Sequence, residues 1–464
     1  AGKNLAVSGA GDVVVAGGIG AFVNNIAKTD TGTLTLAGNN SYAGATTIAT
    51  GGAIKVTHNQ GLSGTGVTVA SGGALQFAQA AGPTDLTAIS GPTTGTITIA
   101  GTGLSNGGAI QNLTGTNTYL GTVTLGANAR ITADSGSALT LSGNVTGAGY
   151  ALDAGGIGST TYNGIISGSG STFTKTDAGT VTLGGTSANT FTGNLQVNDG
   201  TLNLNKTAGV NAVGTGGTVT VGDSIGSALS ATLALQASNQ MPDSTALVLN
   251  SDGRVQLGTF ADAISTIAGT GQIDLGASGT LSLGADNSSS SFNGSATGSG
   301  TLTKDGTGSL TLNTDIAYTG TFNLNGGTLV LNDADLSVTN LNINANSTID
   351  FGATGDSHLF TNSLSFLSTS VTLNIINWTF GVDAFYATFW PGATYDLVNN
   401  GNTAPMNQIT FAGWSNTDTG WDSYDNQIYP NVPEPSTYGA LLMAAASALF
   451  VARRFRAQRK AKQD

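Results

Sequence analysis

Apolar and polar residues alternate with a period of two along most of this chain. In Thr33–Leu36, Leu34 and Leu36 fall on one side and Thr33 and Thr35 on the other; Val181 with Leu183, Leu281 with Leu283, and Leu310 with Leu312 repeat the arrangement. Alternation over so few residues predicts short, half-buried strands with β-branched threonine on the wet side. Between them stand clusters of Gly, Asn, Asp and Ser, which accept positive φ or bond their own backbone, and so predict tight turns. No stretch before Ser436 carries the 3.6-residue apolar period of an amphipathic helix.

The strands recur in near-copies. Segments starting at Lys28, Ile110, Lys175 and Lys304 each run through a short alternating strand, an Asn-rich turn, an aromatic followed closely by Gly, a second strand and a Gly turn into a third. One such unit cannot bury its own Leu and Val row, whereas a neighbour stacked on it can. The expected fold is therefore all-β: a parallel β-helix, or β-solenoid, over residues 1–355. At roughly 20–25 residues per coil and ~4.8 Å between coils, that region would make a rod about 70–85 Å long. The recurring aromatics Tyr42, Tyr119, Phe191 and Tyr318 read as corner-packing residues, with a sugar-stacking stripe as the alternative. Lys28, Lys175 and Lys304 recur at a turn and read as solvated charges.

Past residue 355 the pattern changes. Trp378, Trp390, Trp414 and Trp421 all lie there, amid Phe and Tyr. An open solenoid end exposes unpaired strand edges, so an aromatic-rich β cap is expected over 356–430, with a carbohydrate-binding module as the competing reading. At the other end the chain starts at Ala1 with no leader-like stretch, and the reading expects a processed or truncated start.

Composition sharpens this picture. Of 464 residues 70 are Gly, which disfavours helices, and the absence of Cys excludes a disulfide scaffold. Six of the 14 basic residues crowd the last dozen positions, while the acidic residues are almost all Asp spread along the body. An acidic body gives no surface for phosphate neutralisation, so nucleic acid is not an expected partner. Residues 431–464 divide into a proline-bearing motif (432–436), an apolar stretch (437–452) and a basic tail (453–464). Tyr438 to Ala452 would make a helix about 22 Å long, short for a ~30 Å hydrocarbon core unless flanking arginines snorkel. The expectation is one short transmembrane helix, with the tail on the cytoplasmic side and the body outside the inner membrane.

This terminal arrangement resembles the PEP-CTERM sorting signal of Gram-negative bacteria. The resemblance rests on Pro433, Glu434 and Pro435, the apolar span, and the basic residues Arg453, Arg454 and Arg456. It implies processing near the tripeptide by an exosortase, a membrane-embedded cysteine transpeptidase, after transient anchoring in the inner membrane. The repeats resemble the autotransporter-associated β-strand repeat, as in the segment from Gly32 to Ile48. The aromatic run from Leu373 to Ala387 is similar to the region before the tripeptide in repeat proteins of Verrucomicrobia-like bacteria. No outer-membrane barrel pattern follows the repeats, so self-secretion by that route is not implied. The resemblance implies a cell-surface or extracellular-matrix location and association with exopolysaccharide or other surface components.

Candidate chemistry is sparse. His58 and His358 lie in unrelated segments and read as exposed turn histidines; two histidines make no His-rich zinc site. Asp418, Asp422 and Asp425, and Asp333 with Asp335, are candidate calcium ligands, but they lack the EF-hand and GGxGxD spacings, so turn-forming Asp is the simpler reading. No cofactor, metal or catalytic residue is expected. The function expected is a non-catalytic exported spacer or adhesin; the alternative is a β-helix polysaccharide lyase or hydrolase, whose chemistry would need two Asp ~5–9 Å apart on adjacent coils.

Overall fold

The computed structural model describes residues 2–78, 96–353, 356–393, 404–414, 419–422 and 424–430. The alternating strands stack coil on coil with parallel pairing. On one face, called here the second, strands from Val13–Val15 to Ile409–Phe411 form a continuous ladder of eighteen. Sixteen of these lie between Val13 and Asp350; fifteen steps of ~4.8 Å give ~72 Å, inside the expected range. Neighbouring coils are commonly about 21 residues apart, as the register Val13–Leu34–Ile54–Leu75 shows.

One inward row carries the core of this face: Leu34, Ile54, Leu75, Ile110, Ile131, Leu152, Phe173, Leu195 and Val219 are all at most 1% exposed. Each such side chain contributes roughly 1.5–3 kcal/mol when fully buried. Further along, Ser290 takes an inward place, and its Oγ accepts the Ile267 N–H at 3.1 Å, so the hydroxyl is not left unpaired.

Two more faces complete a three-sided section. The first begins with Lys3–Val7 and Val23–Lys28, passes through the stacked backbone of Asn189, Ala212, Gln240 and Asp262, and continues from Ala261–Ile264 to Ala384–Phe389. The third becomes strand at Thr116–Tyr119 and runs to Ser295–Thr297. In the earliest coils that side is made of irregular backbone such as residues 39–44.

The recurrent aromatic–x–Gly sequence has a physical basis here. A Cβ on Gly320 would sit 2.0 Å from the Gly300 carbonyl oxygen of the preceding coil and 2.8 Å from the Tyr318 ring; one on Gly294 would sit 2.0 Å from Gly271 O and 2.4 Å from the Phe292 ring. Only glycine lets the corner ring fold back while the coils stay in register. At two of these corners the asparagine two residues before the aromatic pins three coils at once. Asn40 accepts from Ile19 N (2.8 Å) and donates to Gly61 O (2.7 Å); Asn189 accepts from Ile166 N (2.9 Å) and donates to Ala212 O (2.6 Å).

Repeat and coil are not the same unit. The copies at Lys28 and Lys304 put the lysine strand on the first face and the following Leu-rich strand on the second, whereas the copy at Lys175 sits one face further round. A three-sided section offers near-equivalent corners, so the same sequence fits at more than one of them.

At the last coil of the first face the direction of pairing changes. Gln427–Pro430 runs antiparallel to both Ala384–Phe389 and Thr419–Trp421. Trp390 and Trp421 are buried against each other with centroids 6.1 Å apart, and the Trp421 indole donates to Ala387 O at 2.9 Å. A reversed strand at the last coil leaves no parallel edge of that face for another coil to extend. Among the described residues no helix is long and apolar enough to cross a membrane. The apolar stretch 437–452 lies outside them.

Candidate functional site

The lysines that punctuate the repeats correct the sequence reading. Lys28, Lys175, Lys304 and also Lys206 are at most 1% exposed. Each occupies an inward place at a strand end, so its aliphatic stem joins the core. Its ammonium reaches a corner where turn carbonyls point inward. Lys175 Nζ donates to Thr176 O (2.8 Å), Asp177 O (2.5 Å) and, on the next coil, Asp199 O (2.9 Å). Lys304 binds Asp305 O (2.7 Å), Gly306 O (3.1 Å) and Gly326 O (3.4 Å) in the same way. Lys28 binds the carbonyls of Asp30 and Thr31, and Lys206 those of Gly184 and Gly164. Residues at positive φ, Asp177 (60°) and Gly306 (68°), shape these turns. A lysine has three donors, which suits a corner with several orphan carbonyls.

Burial pushes the Lys175 and Lys206 ammonium groups down to about 8 from 10.5, and Lys304 in the same direction. Burial also raises Tyr42, Tyr119, Tyr162 and Tyr318 above the ordinary 10.0. Between pH 8 and about 10.5 the unfolded chain holds lysine protons that the folded chain has released, so stability rises with pH. Above about 10 the unfolded tyrosines release protons that the folded ones keep, so stability falls. The expected melting temperature therefore climbs from pH 7 to a maximum near pH 9–10 and then drops, measured by far-ultraviolet circular dichroism. A steady fall from pH 7 would contradict the buried-lysine assignment.

The aromatic series Tyr42, Tyr119, Phe191 and Tyr318 is buried, at most 6% exposed. These rings are corner packing, as their recurrence at one repeat position suggested, and offer no face to a sugar. Tyr42 OH lies 2.7 Å from Thr46 Oγ1 and accepts from Ser63 N at 3.0 Å.

A charged cluster lies along the corner between the second and third faces. Arg130, 7% exposed, pairs with Asp153 and Asp177 on the two following coils and donates to Thr176 Oγ1 at 2.9 Å. Thr176 Oγ1 donates to Asp153 Oδ1 (2.6 Å), and Asp177 Oδ2 accepts from Gly156 N (2.7 Å). Two adjoining hollows of about 420 and 470 Å³ flank the cluster and share Asp177. Glycoside chemistry needs one carboxyl able to hand a proton to the leaving oxygen. Here both carboxylates accept bonds from one guanidinium, an arrangement that ties three coils together. Asp262 is the carboxyl raised by burial, to about 6, and it is enclosed, accepting from the N–H groups of Gln240, Met241 and Ala263.

Other Asp side chains bond backbone across coils as well as within their own turn. Asp12 accepts from Thr33 N (2.7 Å) and Asp30 from Gly9 N (2.9 Å). Of the calcium candidates, Asp422 and Asp425 close local turns on Tyr424 N and Gln427 N, and Asp333 occupies a turn at φ 54°. Asp418 lies outside the described residues. Among the described residues no group of three or more His, Cys, Asp or Glu is placed to hold a metal ion.

The two histidines also part company. His58 is a turn residue whose Nδ1 accepts from Gln60 N at 3.1 Å. His358 instead starts the strand His358–Phe366, with Nδ1 2.8 Å from Asp335 Oδ1 and Nε2 3.2 Å from Asp356 Oδ1. The sorting residues Pro433, Glu434, Pro435, Arg453, Arg454 and Arg456 lie outside the described residues.

No curated protein and no solved structure matches this chain. Three stretches, residues 26–56, 173–204 and 302–331, match the family model of the passenger-associated-transport-repeat, and they are the segments that carry Lys28, Lys175 and Lys304. The described chain is thus a β-solenoid containing passenger-type repeats, consistent with an exported surface protein.

Proposed function

We propose that this is a non-catalytic exported surface or matrix protein, a stiff shaft that acts as spacer or adhesin. The observation that carries the reading is the use of its polar side chains. Lysines, Asp and Asn inside and along the corners are spent on neighbouring coils, which rigidifies a rod and leaves few of them for turnover. The passenger-type repeats support export.

In this reading the segment 431–464 delivers the shaft. The apolar stretch 437–452 holds it in the inner membrane, and an exosortase processes it near Pro433–Glu434–Pro435. Mass spectrometry of the protein from the cell surface is expected to find a C-terminus between Pro433 and Ser436. Recovery of surface protein that still ends at Asp464 would refute the sorting assignment while leaving the shaft untouched.

A further inference from the structure

We propose that the stacked pair Phe360 and Tyr386 is a binding platform for neutral glycans. Both residues stand at outward positions of paired strands, between the inward Leu359 and Thr361 and the inward Phe385 and Ala387. Their ring centroids are 5.0 Å apart with planes 7° from parallel. At that spacing two rings cannot lie side by side, so they overlap face to face with a lateral slip. The rows above and below are small or polar: Ser337 pairs with Phe360, and Gln427 with Tyr386. Phe360 keeps 37% of its surface in solvent.

The core does not call for these rings, because Leu359 and Phe385 fill the interior at that level with no exposure. An exposed Phe360 stacked on a half-buried Tyr386 stands out on a shaft whose outward rows are mostly Thr, Ser and Asn. A polar edge adjoins them. The His358 ring is 5.7 Å from Phe360, and Asp356, whose side chain is 67% exposed, approaches its Nε2. A pyranose has one largely C–H face and a rim of hydroxyls; the rings match the face, and the exposed Asp356 carboxylate, held by the His358 imidazole, matches the rim.

Charge selects within the class. Of the eight cationic side chains before residue 431, Lys28, Lys175, Lys206, Lys304 and Arg130 are buried, so the shaft surface is strongly anionic. Uronate or sulfate-bearing polymers are repelled by such a surface, whereas neutral hexose and pentose polymers are not. This deepens the surface-protein reading by naming what the shaft holds, and binding in solution does not depend on how the chain is sorted.

The test is affinity electrophoresis of the full chain, kept soluble in a sugar-free zwitterionic detergent, through gels containing β-1,4-glucan, β-1,4-mannan, β-1,4-xylan or polyuronate. At least one neutral polymer is expected to retard it and the polyuronate is not. Phe360→Ala and Tyr386→Ala should each weaken retardation about tenfold, and the double variant should abolish it with an unchanged circular dichroism spectrum. Phe22→Ala, an exposed ring at the far end, should change nothing. Absence of retardation by every neutral polymer, undiminished retardation of the double variant, or preference for polyuronate would overturn the proposal. So would a double variant whose segment 431–464 becomes protease-sensitive while no glycan binds, since the rings would then be packing on the chain's own tail.

Discussion

Lys175→Met is expected to destabilise the centre of the shaft by about 3 kcal/mol, although methionine fits the same space and removes a buried charge. The substitution leaves the carbonyls of Thr176, Asp177 and Asp199 facing inward without a donor. Each buried unsatisfied acceptor costs ~1–3 kcal/mol, partly offset by no longer desolvating the ammonium. In a stacked array the damage stays near its origin, so hydrogen exchange should accelerate over residues 172–204 more than in distant coils. Lys55→Met, at a half-buried outward position, is expected to fall within ~0.5 kcal/mol of the parent. Equal effects at the two sites would contradict the plugging role.

Phe173→Ala is expected to cost about 3–5 kcal/mol. The ring is fully buried between Leu152 and Leu195 of the adjoining coils and meets Tyr162 edge-on at 5.9 Å and Phe191 at 6.3 Å. Coils paired in register above and below limit how far the surroundings can collapse into the cavity. Phe360→Ala removes the same group from an outward row and should cost ~1 kcal/mol or less, the scale of a cross-strand pair. Thermal and denaturant unfolding of the two variants measure the contrast. A small loss at Phe173 would mean that the inward row is not close-packed.

The contrast also shows what the sequence made legible. Period-two alternation identified the inward leucines because parity alone assigns a strand residue to a side. The aromatic–x–Gly corners were visible because they recur. The lysines were misread because nothing in a sequence shows that residues such as Asp177 turn neighbouring carbonyls inward. A charge beside a turn then looks solvated, and Lys206, outside the aligned position, gave no signal at all. Asp12 and Asp30 were readable as turn residues, but their cross-coil partners lie about 21 residues away and depend on register. The displacement of the Lys175 copy by one face was hidden for a similar reason: a repeat fixes its own strands and turns, not the side of the prism on which it starts. Phe360 and Tyr386 did carry a signal, an aromatic at the polar parity of two successive strands, masked by the aromatic richness around them.

Position along the shaft follows coil number rather than sequence distance. The chain has no cysteine, so spin labels can be placed singly at chosen sites. Outward positions on the third face follow the register Thr140–Thr161–Thr182–Asn203–Ala234–Gln256–Asp274–Thr297. Pulsed electron-spin distances from Thr140→Cys should be about 24 Å to Gln256→Cys, five coils on, and about 34 Å to Thr297→Cys, seven coils on. That linear growth at ~4.8 Å per coil is what stacked coils predict; distances that fail to increase with coil number would contradict the solenoid and the passive role built on it.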